Sequence, residues 1–186
     1  MFPLTAEDKK NLLHFARLSL ECAVTKKVMD IAAEMADSLR QPAGAFVTLW
    51  KNGDLRGCVG HVLADQPLYK SVKESAKAAA LYDSRFHPVQ PSELPDLALE
   101  ISVLSALQEI PPDQIEVGVH GIMITRGRVR GLLLPQVAAE HRWSRETFLA
   151  ETCHKAGLPA DAWQRGARIE VFTSEVFDDQ AEENNR

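Results

Sequence analysis

Arg56 and Cys58 are the residues whose types and spacing first suggest chemistry. They stand two apart in Leu55-Arg56-Gly57-Cys58-Val59-Gly60. A thiol is a weak nucleophile at neutral pH, because only a few per cent of it is thiolate. Lowering a thiol pKa from about 8.5 to about 6 takes roughly 3.4 kcal/mol of differential stabilisation. One arginine near the surface does not supply all of that, so a histidine or a helix N-terminus has to help. The competing reading makes Cys58 a small buried hydrophobe and ties Arg56 to a structural carboxylate. On chemistry alone the packing reading stands ahead, since most cysteines in strands are packing.

Other polar groups sit in places that ask for a reason. Asp83, Arg85 and His87 flank Phe86 in Asp83-Ser84-Arg85-Phe86-His87-Pro88. An internal Asp83–Arg85 turn contact explains them at least as well as a ligand site does. Glu100 interrupts an apolar run, where a carboxylate is either edge-exposed or buried with a partner. Arg56 and Arg85 are the candidate partners. His120 stands in Gly118-Val119-His120-Gly121, and a histidine at a strand end beside glycine can reach a cleft. Arg126, Arg128 and Arg130 read best as a charged hairpin tip that discourages edge pairing. The six histidines show no i, i+3 or i, i+4 pairing that would put two metal ligands on one helix face, so no metal site is expected.

The elements that must hold these residues follow from periodicity. Ala45 to Lys51 reads as a strand, and Asn52-Gly53 is a two-residue hairpin signal. That loop sets Trp50 opposite Leu55, Leu49 opposite Arg56 and Val47 opposite Cys58. Alternation then predicts a core face of Phe46, Trp50, Leu55 and Val59. It predicts a second face with Arg56 and Cys58 beside Val47 and Leu49. Gly57 and Gly60 leave room for another backbone or a ligand. Before the hairpin, residues 5–39 look helical, with Thr5 as cap. Two apolar stripes, Leu12 to Ser19 and Val28 to Leu39, meet at a joint near Thr25.

After the hairpin, a helix is predicted from about Pro67 to Leu81, with Lys70, Lys73 and Lys77 on its solvated side. An irregular stretch from Asp83 to Asp96 holds three prolines, and such loops usually have a job. A strand follows from Leu97 to Leu107. A second hairpin, Ile122 to Arg126 with Val129 to Leu134, turns at Gly127-Arg128. Pro135 opens a short helix, Ser144 caps another with Cys153 inward, and Arg168 to Phe177 reads as one last strand. Residues 178–186 read as a flexible tail.

Length and composition bound the whole. With 186 residues, 45% of them hydrophobic, the chain suits a single domain over residues 1–177, with a sizeable core. A net charge of −5 argues against coating a nucleic acid. Three widely spaced cysteines form no disulfide or zinc pattern, which suits a reducing cytoplasm. The N-terminus does not read as a signal peptide, and no run of 18 apolar residues suggests a membrane span.

The hexapeptide resembles the signature of the AMMECR family, with Val59 where isoleucine is usual. Further blocks resemble the family in order: Asp83 to Pro88, Glu100 to Ser105, His120-Gly121, Leu132 to Ala138 and Cys153 to Leu158. The likeness runs from about Leu12 to Val176. It implies an α+β fold, mostly antiparallel sheet with flanking helices. It also implies two lobes, a large one holding both termini and a smaller inserted one, with a cleft between them lined by the signature residues. It implies a pathway or complex shared with Memo-type and radical SAM proteins, and it assigns no reaction. The radical SAM cluster belongs to that neighbour, because this chain has no C-x-x-x-C-x-x-C, and no cofactor is expected.

Two functions compete. As an enzyme, the chain would use Cys58 as nucleophile, with Arg56 holding the thiolate or an anionic substrate. His120 would be the base and Glu100 its orienter, or the arginine's. Arg85, Asp83, Phe86 and Ser102 would bind substrate. As a non-catalytic module, the same cleft would take a small ligand or a peptide of the Memo-type partner. RNA binding through Arg126, Arg128 and Arg130 is the weakest reading.

Overall fold

The computed structural model describes residues 4–27 and 36–179. The second apolar stripe therefore lies largely outside the described residues, as does the tail beyond Asp179. The chain divides into two compact units, Met1–Leu104 with Glu175–Arg186, and Ser105–Ser174. Helices and antiparallel sheets make up both, so the fold is α+β.

The first unit opens with helix α1 (Ala6–Thr25). Thr5 caps it through a reciprocal box. The Thr5 hydroxyl accepts from the Asp8 amide at 3.1 Å, and the Asp8 carboxylate accepts from the Thr5 amide at 3.0 Å. Lys26 ends the helix in the left-handed region, at φ 58°. Strands β1 (Ala45–Lys51) and β2 (Asp54–His61) follow, joined by Asn52 and Gly53. Both turn residues have positive φ, 54° and 86°, as a type I′ hairpin turn requires. Helix α2 (Leu68–Leu81) starts at Pro67 and lays its alanines on the sheet. Its buried serines tie it there: Ser71 donates to the Ala43 carbonyl at 2.9 Å and Ser75 to that of Ala45 at 3.2 Å.

Strand β3 (Leu97–Leu104) pairs with β1 on the side away from β2. It stops at Leu104. The expected extension to Leu107 is broken, and residues 108–109 form strand β4 (Gln108–Glu109) of the second unit's sheet.

The second unit continues with hairpin β5 (Gly121–Arg126) and β6 (Val129–Leu133), then helices α3 (Pro135–Glu140) and α4 (Arg145–Lys155). Ser144 caps α4 through its hydroxyl, which accepts from the Thr147 amide at 3.2 Å. Phe148, Leu149 and Cys153 enter the core with Ile122, Ile124 and Ile169. The last strand of the sequence reading is in fact two. Strand β7 (Arg168–Phe172) joins the sheet ordered β4-β7-β5-β6, and β8 (Ser174–Asp178) joins the sheet ordered β2-β1-β3-β8. Thr173 separates them. Its amide donates to the Ser105 hydroxyl at 2.9 Å, and its carbonyl accepts from the Ser105 amide at 2.9 Å. Nor is residue 178 the start of a loose tail. Asp178 ends β8, the Asp179 amide donates to the Leu99 carbonyl at 3.0 Å, and its carboxylate pairs with Arg17.

In the first hairpin the register departs from expectation. Lys51 opposes Asp54 and Trp50 opposes Leu55, but Leu49 opposes Gly57, leaving Arg56 as the extra residue of a β-bulge. Beyond the bulge every pair slips by one, and a one-residue slip reverses the faces. The buried core face therefore carries Val47, Leu49 and Val59 with Leu99 and Ile101. Phe46, Thr48 and Trp50 turn to the opposite face, and Cys58 goes with them. Gly57 permits this packing, since a Cβ there would lie 2.2 Å from the Ala79 carbonyl oxygen of α2.

Candidate functional site

Cys58 stands on β2, the edge strand of the first sheet, and is half-buried. An edge strand presents main-chain donors and acceptors with no neighbouring strand to meet them. At Cys58 two side chains take that place. The Asp83 carboxylate accepts from the Cys58 amide at 2.9 Å, and the Arg85 guanidinium donates to the Cys58 carbonyl at 3.2 Å. The two also hold each other. Arg85 Nε and Nη2 donate to the two Asp83 oxygens at 2.9 and 2.7 Å, and the Arg85 amide adds a third bond at 3.1 Å. The internal Asp83–Arg85 turn contact thus exists, and it is built around Cys58.

Because the amide and carbonyl of Cys58 point off the sheet, its pairing with Thr48 is of the non-hydrogen-bonded kind, in which side chains approach most closely. Accordingly, the Thr48 hydroxyl lies 3.3 Å from the Cys58 sulfur and donates to it. Glu100 opposes Thr48 on the other side, so Cys58, Thr48 and Glu100 form one row across three strands. Ser102 belongs to the next row, opposite Phe46, and is only 2% exposed. Phe86 packs near Arg85, whose guanidinium carbon stands 5.4 Å from the ring centre.

Electrostatics follows from these contacts. The Arg85 hydrogen bonds hold the Asp83 carboxyl well below the usual carboxylate range, against the upward push of burial, and the Cys58 amide acts in the same direction. Asp83 in turn raises the Arg85 pKa. Arg85 still leaves 55% of its side chain exposed, whereas Asp83 leaves 6%. The charge that remains accessible at this place is therefore positive.

Arg56 and Arg85, the expected partners of Glu100, are each committed to another carboxylate. As the bulge residue, Arg56 reaches the 3-10 turn at Pro91–Asp96, where its Nε and Nη2 each lie 3.0 Å from a Glu93 oxygen. Lys51 joins Glu93 at 3.0 Å, and the Gln90 amide donates to it at 2.9 Å. Arg56, with the Gln90 amide and Lys51 assisting, lowers the Glu93 carboxyl to about 2. Arg56 is thus an anchor for the end of the Asp83–Asp96 segment.

His120 belongs to the second unit, just before β5, and its Nδ1 accepts from the Glu116 amide at 3.0 Å. A neutral ring in that arrangement carries its proton on Nε2. Cys153 is fully buried in the second core, and burial pushes its thiol pKa up. Among the described residues no group of three or more His, Cys, Asp or Glu side chains could hold a metal ion. None of their helices is long and apolar enough to cross a membrane.

Thr48 and Glu93 are the two residues that sequence reasoning missed. Each left a trace: Thr48 is the one hydroxyl in an apolar strand, and Glu93 follows Gln90-Pro91 at capping-box spacing.

The same architecture occurs in a solved structure, and sequence relatives span nearly the whole chain. The crystal structure of an uncharacterized protein from Pyrococcus horikoshii superposes with a TM-score of 0.86 at 36% identity, over 94% of this chain and 93% of that one. A protein of Methanothermobacter thermautotrophicus is 40% identical over 184 residues, covering 94% of this chain and 96% of its own length. One from Aquifex aeolicus is 36% identical over 179 residues, covering 91% and 92%. The family model for AMMECR1 matches residues 13–177, a span that holds the Cys58 bracket, the Glu93 anchor and both sheets, and on that match the chain belongs to the AMMECR1 family.

Proposed function

We propose that this protein is a small-molecule enzyme with Cys58 as nucleophile, acting in one cytoplasmic pathway with Memo-type and radical SAM proteins. One observation carries the reading. Asp83 and Arg85 fix the main chain of Cys58 on both sides, while its sulfur stays on the half-exposed face beside Thr48. Holding a reacting atom in place is what a nucleophilic site needs. The exposed part of Arg85 is suited to an anionic substrate group, a carboxylate or a phosphate, with Phe86 beside it. Arg85 thereby takes the role first given to Arg56. Glu100 stays in the row of Cys58 as an orienting group, and buried Ser102 shapes the floor. His120 lies in the second unit with its Nδ1 taken by the Glu116 amide, so the reading rests on Cys58, Asp83 and Arg85 alone.

A specific observation favours the alternative, a binding module for a small ligand or a peptide of the Memo-type partner. The group at the Cys58 sulfur is a hydroxyl donor, and a hydroxyl does not take a proton from a thiol. Timed alkylation of the native protein by iodoacetamide, read for each cysteine by mass spectrometry, separates the two. The enzyme reading expects Cys58 to react about tenfold faster than Cys22 at pH 7, and expects Arg85→Met to abolish that advantage. A Cys58 that reacts no faster than Cys22 leaves the binding module.

A further inference from the structure

We propose that the groove between α1 and α2 is a second site, which binds a small anionic amphiphile: an apolar body with one carboxylate, sulfate or phosphate head. This inference does not depend on the reactivity of Cys58. The groove is open to solvent along one side and offers about 470 Å³, within the range of small-ligand sites. Leu18 and Cys22 of α1 and Leu81 of α2 line its apolar part. Four lysines stand at its margin, Lys26 and Lys27 past the end of α1 and Lys73 and Lys77 one turn apart on α2.

Charge decides the class of occupant. The chain has 26 acidic against 21 basic residues, yet none of these four lysines pairs with a carboxylate among the described residues. Lys77 instead stands 5.8 Å from the ring centre of Tyr82, itself 67% exposed. A helix C-terminus accounts for cations at Lys26 and Lys27. It does not account for Lys73 and Lys77 in mid-helix. Cations converging on an apolar hollow of this size complement a molecule that offers one anionic head and a short chain.

Cys22 supplies the readout. Full-length native protein is alkylated with iodoacetamide in the presence of monomeric dodecanoate, with dodecyltrimethylammonium and dodecyl maltoside as cationic and neutral comparators. We expect dodecanoate to slow Cys22 alkylation saturably, by about tenfold or more, with little effect from either comparator. The pair Lys73→Gln and Lys77→Gln should raise the half-protecting concentration about tenfold. The charge-keeping pair Lys73→Arg and Lys77→Arg should retain wild-type protection, and Cys153 should stay unreactive throughout as the sign of an intact fold. Equal protection by a comparator overturns the proposal. So does a failure of dodecanoate to protect, protection seen only with anionic vesicles or acidic peptides, or loss of protection in the arginine variant with Cys153 still silent.

Discussion

The hydroxyl of Thr48 donates to the sulfur of Cys58 across 3.3 Å, within a strand pair whose main-chain bonds point away from both side chains. The bond holds the Cys58 side chain in one orientation on the sheet face. Thr48 is 7% exposed, so little water competes for the bond. Thr48→Val keeps the shape and removes the donor. It should slow Cys58 alkylation at pH 7 about three- to tenfold while changing unfolding free energy by no more than about 1.5 kcal/mol. An unchanged alkylation rate would show that the hydroxyl does not orient the sulfur.

The Asp83 carboxylate replaces a missing strand at the Cys58 amide. An unpaired amide on an edge strand exchanges readily with water, so protection here reports the bracket itself. Wild type should show slow hydrogen exchange at the Cys58 amide, and Asp83→Ala should return it to the fast rate of an open edge. The same variant leaves the Arg85 guanidinium to water, since it is already more than half exposed, so the stability loss should be no more than about 1 kcal/mol. Fast exchange already present in wild type would mean that the bracket opens freely.

Gly57 meets α2 directly. Its added Cβ would stand 2.2 Å from the Ala79 carbonyl oxygen, which belongs to a packed helix and cannot move aside as a side-chain tip would. Gly57→Ala must therefore push α2 off β2, and we expect a loss of about 2 kcal/mol or more in denaturant unfolding. Gly53→Ala is strained through its φ of 86° but meets no atom within 4 Å, so it should cost less. Equal losses would show that the α2 main chain gives way to the added methyl at little cost.

Much of this arrangement was legible in the sequence. Thr5 and Ser144 announced their helices, and Asn52-Gly53 set the first two hairpin pairs. The bulge was not legible, because Leu55-Arg56-Gly57-Cys58 alternates as smoothly with it as without it. That single unpaired residue reversed the predicted faces and moved Cys58 from Val47 to Thr48. Nor does alternation through Arg168–Asp178 reveal a change of sheet, since side-chain period is blind to which strand lies alongside. A carboxylate in an apolar strand points to Arg56 or Arg85 as the partner of Glu100, yet Arg56 takes a different carboxylate, Glu93. Glu93 lies in a 3-10 turn, where it also serves as a cap, and no strand period reveals that.

Glu93 gives the first unit an acid-sensitive joint. Its side chain is 17% exposed and that of Arg56 16%, so their bidentate pair lies between the surface and the fully buried cases. Surface pairs are worth about 0–1 kcal/mol, and removing one partner of a buried pair costs about 3–5. We expect Glu93→Gln to cost about 1–3 kcal/mol at neutral pH. The pH dependence has a definite sign. The Glu93 pKa is lowered from 4.5 to about 2 in the folded protein. Such a group contributes its stability fully above the unfolded value, and that contribution is lost as pH falls through the folded one. Asp83 is depressed in the same direction and adds to the trend. Wild type should therefore lose stability progressively between about pH 4.5 and pH 2, and Glu93→Gln should lose less over the same interval. Denaturant unfolding of both proteins at several pH values measures the two slopes. Parallel slopes would show that Glu93 ionises alike in folded and unfolded chains, and the anchor between Arg56 and the 3-10 turn would then contribute nothing to stability.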